Sequence, residues 1–94
     1  MHVSRLKVGQ SYAKQSFIIE HQNEIYLQCY DNIICIYNKE TKKIILSTYW
    51  TQSKATEEYL ISFLTNTNIL PVKSQQDILN AMIHKKLEVV ESLN

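Results

Sequence analysis

The stretch FIIEHQNEIYLQCYDNIICIYNKETKKIILSTYW, Phe17 to Trp50, decides the fold. Apolar residues there recur at alternate positions between short polar breaks, the pattern of strands joined by tight turns. It reads as a four-stranded antiparallel β-meander over 17–20, 24–30, 33–38 and 43–50. A first hairpin through His21-Gln22-Asn23 pairs Ile18 with Leu27 and Ile19 with Tyr26, with Asn23 the residue that tolerates a left-handed turn. A second, through Asp31-Asn32, pairs Cys29 with Ile34 and Leu27 with Ile36.

That register sorts the side chains onto two faces, because partners across strands share a face and neighbours along a strand alternate. One face collects Ile18, Ile25, Leu27, Cys29, Ile34 and Ile36 and is the expected core. The other collects Phe17, Ile19, Tyr26, Gln28, Tyr30, Ile33, Cys35 and Tyr37. It is aromatic and amphipathic rather than charged, which makes it the expected interaction surface. Cys29 and Cys35 fall on opposite faces, which excludes a disulfide between them. A three-residue turn would instead set them directly opposite, so the thiols test the turn.

Working outward, residues 1–16 read as an extended N-terminal segment, with an edge strand possible by pattern at 6–8. This segment offers an alternative fate for the outer face, folding back over it with Leu6 and Val8. Beyond the meander, Ser53 caps a helix carrying Tyr59, Leu60, Phe63 and Leu64 at helical spacing and ending near Asn66. Leu70 precedes Pro71 and is held extended. Ser74 caps a second helix, with Asp77 three residues on, and Ile78, Leu79, Met82, Ile83, Leu87 and Val90 form its apolar stripe. The expectation is one α+β domain over 1–94, the two helices of 53–92 packed on one sheet face.

Composition bounds the chemistry. With 94 residues and a net charge of +1, the chain makes one modest core and no strong field toward nucleic acid. No apolar run approaches a membrane span, and the N-terminus lacks the apolar region of a signal peptide, so a cytoplasmic protein of a reducing cytosol is expected. Gly9 is the single glycine, which rules out glycine-rich phosphate loops and the nucleophile elbow as usually written. Two cysteines cannot make a four-thiol zinc site, and His2, His21 and His84 form no ligand pair at helical spacing. His84, beside the stripe of the last helix, reads as a partly buried structural residue. Adjacent Glu57 and Glu58 diverge by about 100° on a helix and do not converge on a substrate. No catalytic residue, cofactor or metal site is expected.

Basic residues gather in two places. Arg5, Lys7 and Lys14 lie in the N-terminal segment, and Lys39, Lys42 and Lys43 lie at the third turn. The first reads either as a solvated terminus or as phosphate contacts, and the second either as a solvated hairpin end that discourages edge pairing or as a nucleic-acid contact.

Ser11-Tyr12, then Phe17-Ile18-Ile19, then Ile25-Tyr26-Leu27, then Tyr49-Trp50-Thr51-Gln52-Ser53 leading into Tyr59-Leu60-Ile61-Ser62-Phe63-Leu64, resemble small uncharacterised proteins of phages and archaeal viruses over residues 11–64. In those a Ser-Tyr pair opens a strand pair and a Tyr-Ser/Thr segment enters a helix. Their Thr-Thr-x-Lys-His at the helix start is replaced here by Ser53-Lys54-Ala55-Thr56-Glu57. Some virus-encoded proteins of this build are anti-CRISPR proteins. The resemblance implies a mobile-element origin. The absence of catalytic motifs and the spare aromatic face point to a non-enzymatic interaction protein, most concretely a viral inhibitor of a host complex that acts by protein–protein binding. The expected partners are a second copy, in a homodimer through Phe17, Ile19, Tyr26, Tyr30, Ile33 and Tyr37, or a host protein or ribonucleoprotein. The alternative is a small nucleic-acid-binding regulator acting through the two basic groups.

Overall fold

Six strands, a 3₁₀ turn and two helices make up the computed structural model, which describes residues Met1–Asn94. The strands are β1 (His2–Val8), β2 (Ser11–His21), β3 (Glu24–Cys29), β4 (Asn32–Asn38), β5 (Ile44–Ser47) and β6 (Glu88–Val90). The helices are α1 (Lys54–Asn66) and α2 (Gln75–Ile83), and the 3₁₀ turn spans Thr48–Thr51. The sheet keeps chain order from β1 to β6. Every neighbouring pair is antiparallel except the last, where β6 returns from α2 to lie parallel to β5. The architecture is α+β with a mostly antiparallel open sheet.

The expected four strands become six by additions at both ends. At the front, residues 2–8 pair with β2, setting Val3 against Ile19 and Arg5 against Phe17. The register shifts between Arg5 and Lys7 because β2 carries the extra residues there, while β1 itself alternates. Val3 points outward and Leu6 and Val8 inward, and with Ser4 as the other inward neighbour the apolar pattern is too sparse to read as a strand. At the back, α2 stops at Ile83 instead of running to 92. Lys85 takes φ 58° there, with its N–H on the Met82 carbonyl at 3.0 Å and the Lys86 N–H on the Ala81 carbonyl at 2.8 Å. These two bonds close a Schellman cap. α1 ends the same way through Asn68, φ 57°. Ser53 and Ser74 cap the two helices as their sequence position predicts, their hydroxyls accepting from Thr56 and Asp77 N–H groups.

The hairpin registers divide. Between β2 and β3, Ile18 faces Leu27 and Ile19 faces Tyr26, as the sequence predicts, although the left-handed turn residue is Gln22 rather than Asn23. Between β3 and β4 the turn sits one residue earlier than expected. Tyr30 adopts φ 57°, Cys29 faces Asn32, and a shift after Gln28 then sets Leu27 against Cys35. Ile34 is the extra residue of that bulge, and both it and Cys35 are fully buried. The shift moves β4 by one residue against the expected pairing of Leu27 with Ile36. Such a slip exchanges the two faces of a strand. Cys35 and Tyr37 therefore turn inward and Ile36 outward, reversing three assignments.

The interior is one cluster of 17 buried residues. Leu6, Leu27 and Leu46 come from the sheet, Leu60, Phe63 and Leu64 from α1, and Ile78 and Ala81 from α2. Each large side chain in it contributes about 1.5–3 kcal/mol by leaving water. Both helices thus bury their apolar sides in the same inward layer. Leu79 and Ile83, expected in the α2 stripe, are instead exposed, Ile83 by 72%. Nine residues of helix bury only the line through Ile78 and Ala81, with Met82 against its edge. Leu87 reaches the core from the approach to β6, not from a helix.

Candidate interaction surface

The outer sheet face is built by the registers. One row crosses the whole sheet: Val3, Ile19, Tyr26, Ile36, Ile45 and Glu88 are successive cross-strand partners. A second row runs Arg5, Phe17, Gln28 and Ile33. None of the apolar residues in either row belongs to the core cluster or packs against it. They shield one another, so most are half-buried, while Val3 remains 54% exposed. The N-terminal segment does not fold back over this face. It forms β1 at the sheet edge, with Leu6 in the core and Val8 packed against it on the helix side.

Of the expected interaction residues, Phe17, Ile19, Tyr26 and Ile33 lie together here. Tyr37 packs against the core on the opposite side. Tyr30 occupies the β3–β4 turn, where burial first, and then its neighbour Tyr59 on α1, hold its phenol above the ordinary range. Ile36 and Ile45 take the places expected of Cys35 and Tyr37. The Tyr26 hydroxyl donates to Glu24 at 2.6 Å, and this bond, ahead of burial, raises its pKa. The bond fixes the orientation of the ring.

The six basic residues singled out as phosphate contacts separate into two corners. Arg5 stacks on Tyr12, 4.6 Å from the ring centroid, on the strands β1 and β2 that also carry Lys7 and Lys14. An exposed contact of this kind contributes about 0.5–1 kcal/mol. Lys39, Lys42 and Lys43 lie in the β4–β5 connection, at the other ends of the strands. There Lys42 and Lys43 meet Lys85 and Lys86 around a hollow of about 520 Å³, lined also by Ile44, Ile45, Leu87 and Glu88. Lys85 and Lys86 were missed because 79–86 reads as uninterrupted helix, and only the cap at Lys85 brings them back to β5.

A hollow of about 330 Å³ beside α2 is lined by Thr65, Asp77 and His84 among others. Two of its polar groups are committed: Thr65 donates to the Val72 carbonyl at 2.9 Å, and Asp77 accepts from the Lys73 N–H at 2.8 Å. His84 is exposed at the end of α2, not partly buried as expected. No buried side-chain polar atom lacks a partner, and no group of three metal-ligating residues exists. No helix is long and apolar enough to cross a membrane. Both thiols are free and buried. Burial pushes Cys29 up to about 11, with the Ser16 hydroxyl pulling the other way, and burial alone pushes Cys35 upward. Buried thiols of raised pKa are poor nucleophiles. No family model, curated protein or solved structure matches the chain.

Proposed function

We propose that the chain is a non-enzymatic interaction protein that docks on another protein through its outer sheet face. The observation that carries this reading is the row Val3, Ile19, Tyr26, Ile36 and Ile45, apolar across five strands and outside the core. A contiguous apolar patch of several hundred Å² on a small protein usually marks an interface. Phe17, Ile33 and the pre-oriented ring of Tyr26 widen it, and Arg5, Gln28, Glu24 and Glu88 supply a polar rim. Two occupants suit it. A second copy would close it in a symmetric homodimer, the commonest closed assembly. A component of a host complex would make the chain an inhibitor of anti-CRISPR type, the role that its resemblance to phage and archaeal-virus proteins suggests.

Sedimentation of the wild type and of Ile36→Lys tests the proposal. The wild type should sediment as a dimer, or as a monomer that retains a host protein from lysate. Ile36→Lys should be a folded monomer that retains neither. A wild type that is monomeric and binds nothing, or a variant that associates unchanged, would overturn it.

A further inference from the structure

The corner where β5, β6 and the end of α2 meet holds four ammonium groups that no element of the fold requires. Lys42 and Lys43 come from the β4–β5 turn, and Lys85 and Lys86 from the cap of α2. The two pairs are far apart in sequence, and their turns are held by backbone hydrogen bonds. The Lys42 N–H donates to the Asn38 carbonyl at 2.8 Å, and Lys85 and Lys86 close the helix cap. Lys42 and Lys85 occupy the left-handed region, φ 65° and 58°. Gln15, Gln22 and Tyr30 do so too, so the conformation alone does not single out the lysines. Their convergence on one hollow does.

Charge partition sharpens the point. The chain has ten Lys and Arg against nine Asp and Glu. Removing this corner's four lysines and Glu88 leaves six cations against eight acids, so the rest of the chain is net negative. A molecule that is nearly neutral as a whole therefore concentrates positive charge at this corner. Lys86 also lines the hollow beside α2, together with Lys73 and His84, so the two hollows share this part of the basic lining. Glu88 and Asp77 are the carboxylates that oppose it.

We propose that this corner binds the phosphodiester backbone of nucleic acid. The cations are all lysines, mobile point charges that meet phosphate oxygens without demanding a fixed geometry. The hollow offers Ile44, Ile45 and Leu87 but no aromatic ring and no side-chain amide. Bases therefore find nothing to stack on or to read, and binding is independent of sequence. The inference stands on this geometry and does not depend on the sheet face, although Ile45 belongs to both surfaces.

The test is fluorescence anisotropy of the folded chain with a labelled single strand of about 20 nucleotides and with its duplex. Four phosphates neutralised predict a loss of affinity of roughly 50-fold for the single strand and 150-fold for the duplex between 50 and 200 mM salt. The triple variant Lys42→Gln, Lys85→Gln, Lys86→Gln should lose binding at the low salt. The charge-matched triple Lys7→Gln, Lys14→Gln, Lys54→Gln should retain most of it. All six side chains are exposed, so both triples should keep the wild-type circular dichroism and melting curve. Absence of wild-type binding at the low salt would overturn the proposal. So would equal losses in the two triples, or polyglutamate competing as well as unlabelled strand of equal charge, which would point to an acidic protein instead.

Discussion

Lys85 carries two demands that pull apart. Its left-handed backbone closes the cap of α2, a position where glycine is the usual residue and a side chain costs about 1 kcal/mol or more. Its ammonium belongs to the lysine corner. Lys85→Gly should therefore stabilise the protein by about 1 kcal/mol, a rise of about 4–8 °C in Tm for a chain of this size, while weakening nucleic-acid binding. A lowered Tm would mean that the side chain is needed for the cap itself. The thiols give a second expectation at this scale. Cys29 rises from its ordinary 9.0 to about 11 in the fold. Between those values the unfolded chain binds fewer protons than the folded one, so unfolding becomes easier. The Cys29 contribution is complete below about 9 and is lost as pH rises toward 11, with Cys35, Tyr26 and Tyr30 acting in the same direction. Urea midpoints should be level through neutral pH and fall across that window, less steeply in Cys29→Ala. Alkylation with mass measurement should find both thiols inert in the native protein and both modified after denaturation.

Among the elements, α1 and α2 make opposite bets. Phe63 is fully buried between α1 and the sheet, and Phe63→Ala should cost about 3–5 kcal/mol. That approaches the whole stability of a marginal small domain, about 5 kcal/mol. Ile83→Ala, on the exposed end of α2, should change stability by no more than about 0.5 kcal/mol. Equal melting temperatures for these two variants would contradict the packing described. The same elements explain what was legible in the sequence. Both serine caps, the first hairpin register and the α1 stripe depend on neighbours a few residues apart, and all of them were readable. The β4 face was not, because one bulge residue, Ile34, inverts it, and a bulge leaves no local pattern. Nor was the true end of α2, where Lys85 takes a conformation that sequence assigns to glycine or asparagine. Of the outer face, Phe17, Ile19, Tyr26 and Ile33 survive because they depend on the first hairpin or lie before the bulge. Ile36 and Ile45 depend on the register beyond it. The lysine corner required β6, a parallel strand of three residues whose pairing with β5 is set only in three dimensions.

At the scale of the whole molecule, the two proposed surfaces share a border. Ile45 closes the apolar row of the sheet face and also lines the lysine hollow, with Glu88 beside it. A partner covering the sheet face would therefore bring its edge to the basic corner. A nucleoprotein satisfies both chemistries at once, since protein meets the apolar row and phosphates meet the lysines. The two contacts would then reinforce each other, because the second forms within one complex rather than from free solution. Their salt responses should differ. Apolar contacts persist as salt rises, whereas released counterions weaken phosphate contacts steeply. The prediction is a double dissociation. Ile36→Lys should abolish protein association and leave binding to the labelled strand, with its salt slope, intact. Lys42→Gln, Lys85→Gln, Lys86→Gln should do the reverse. If Ile36→Lys also removes strand binding while circular dichroism reports a native fold, the two surfaces are one site, and nucleic acid rather than protein lies across the open sheet.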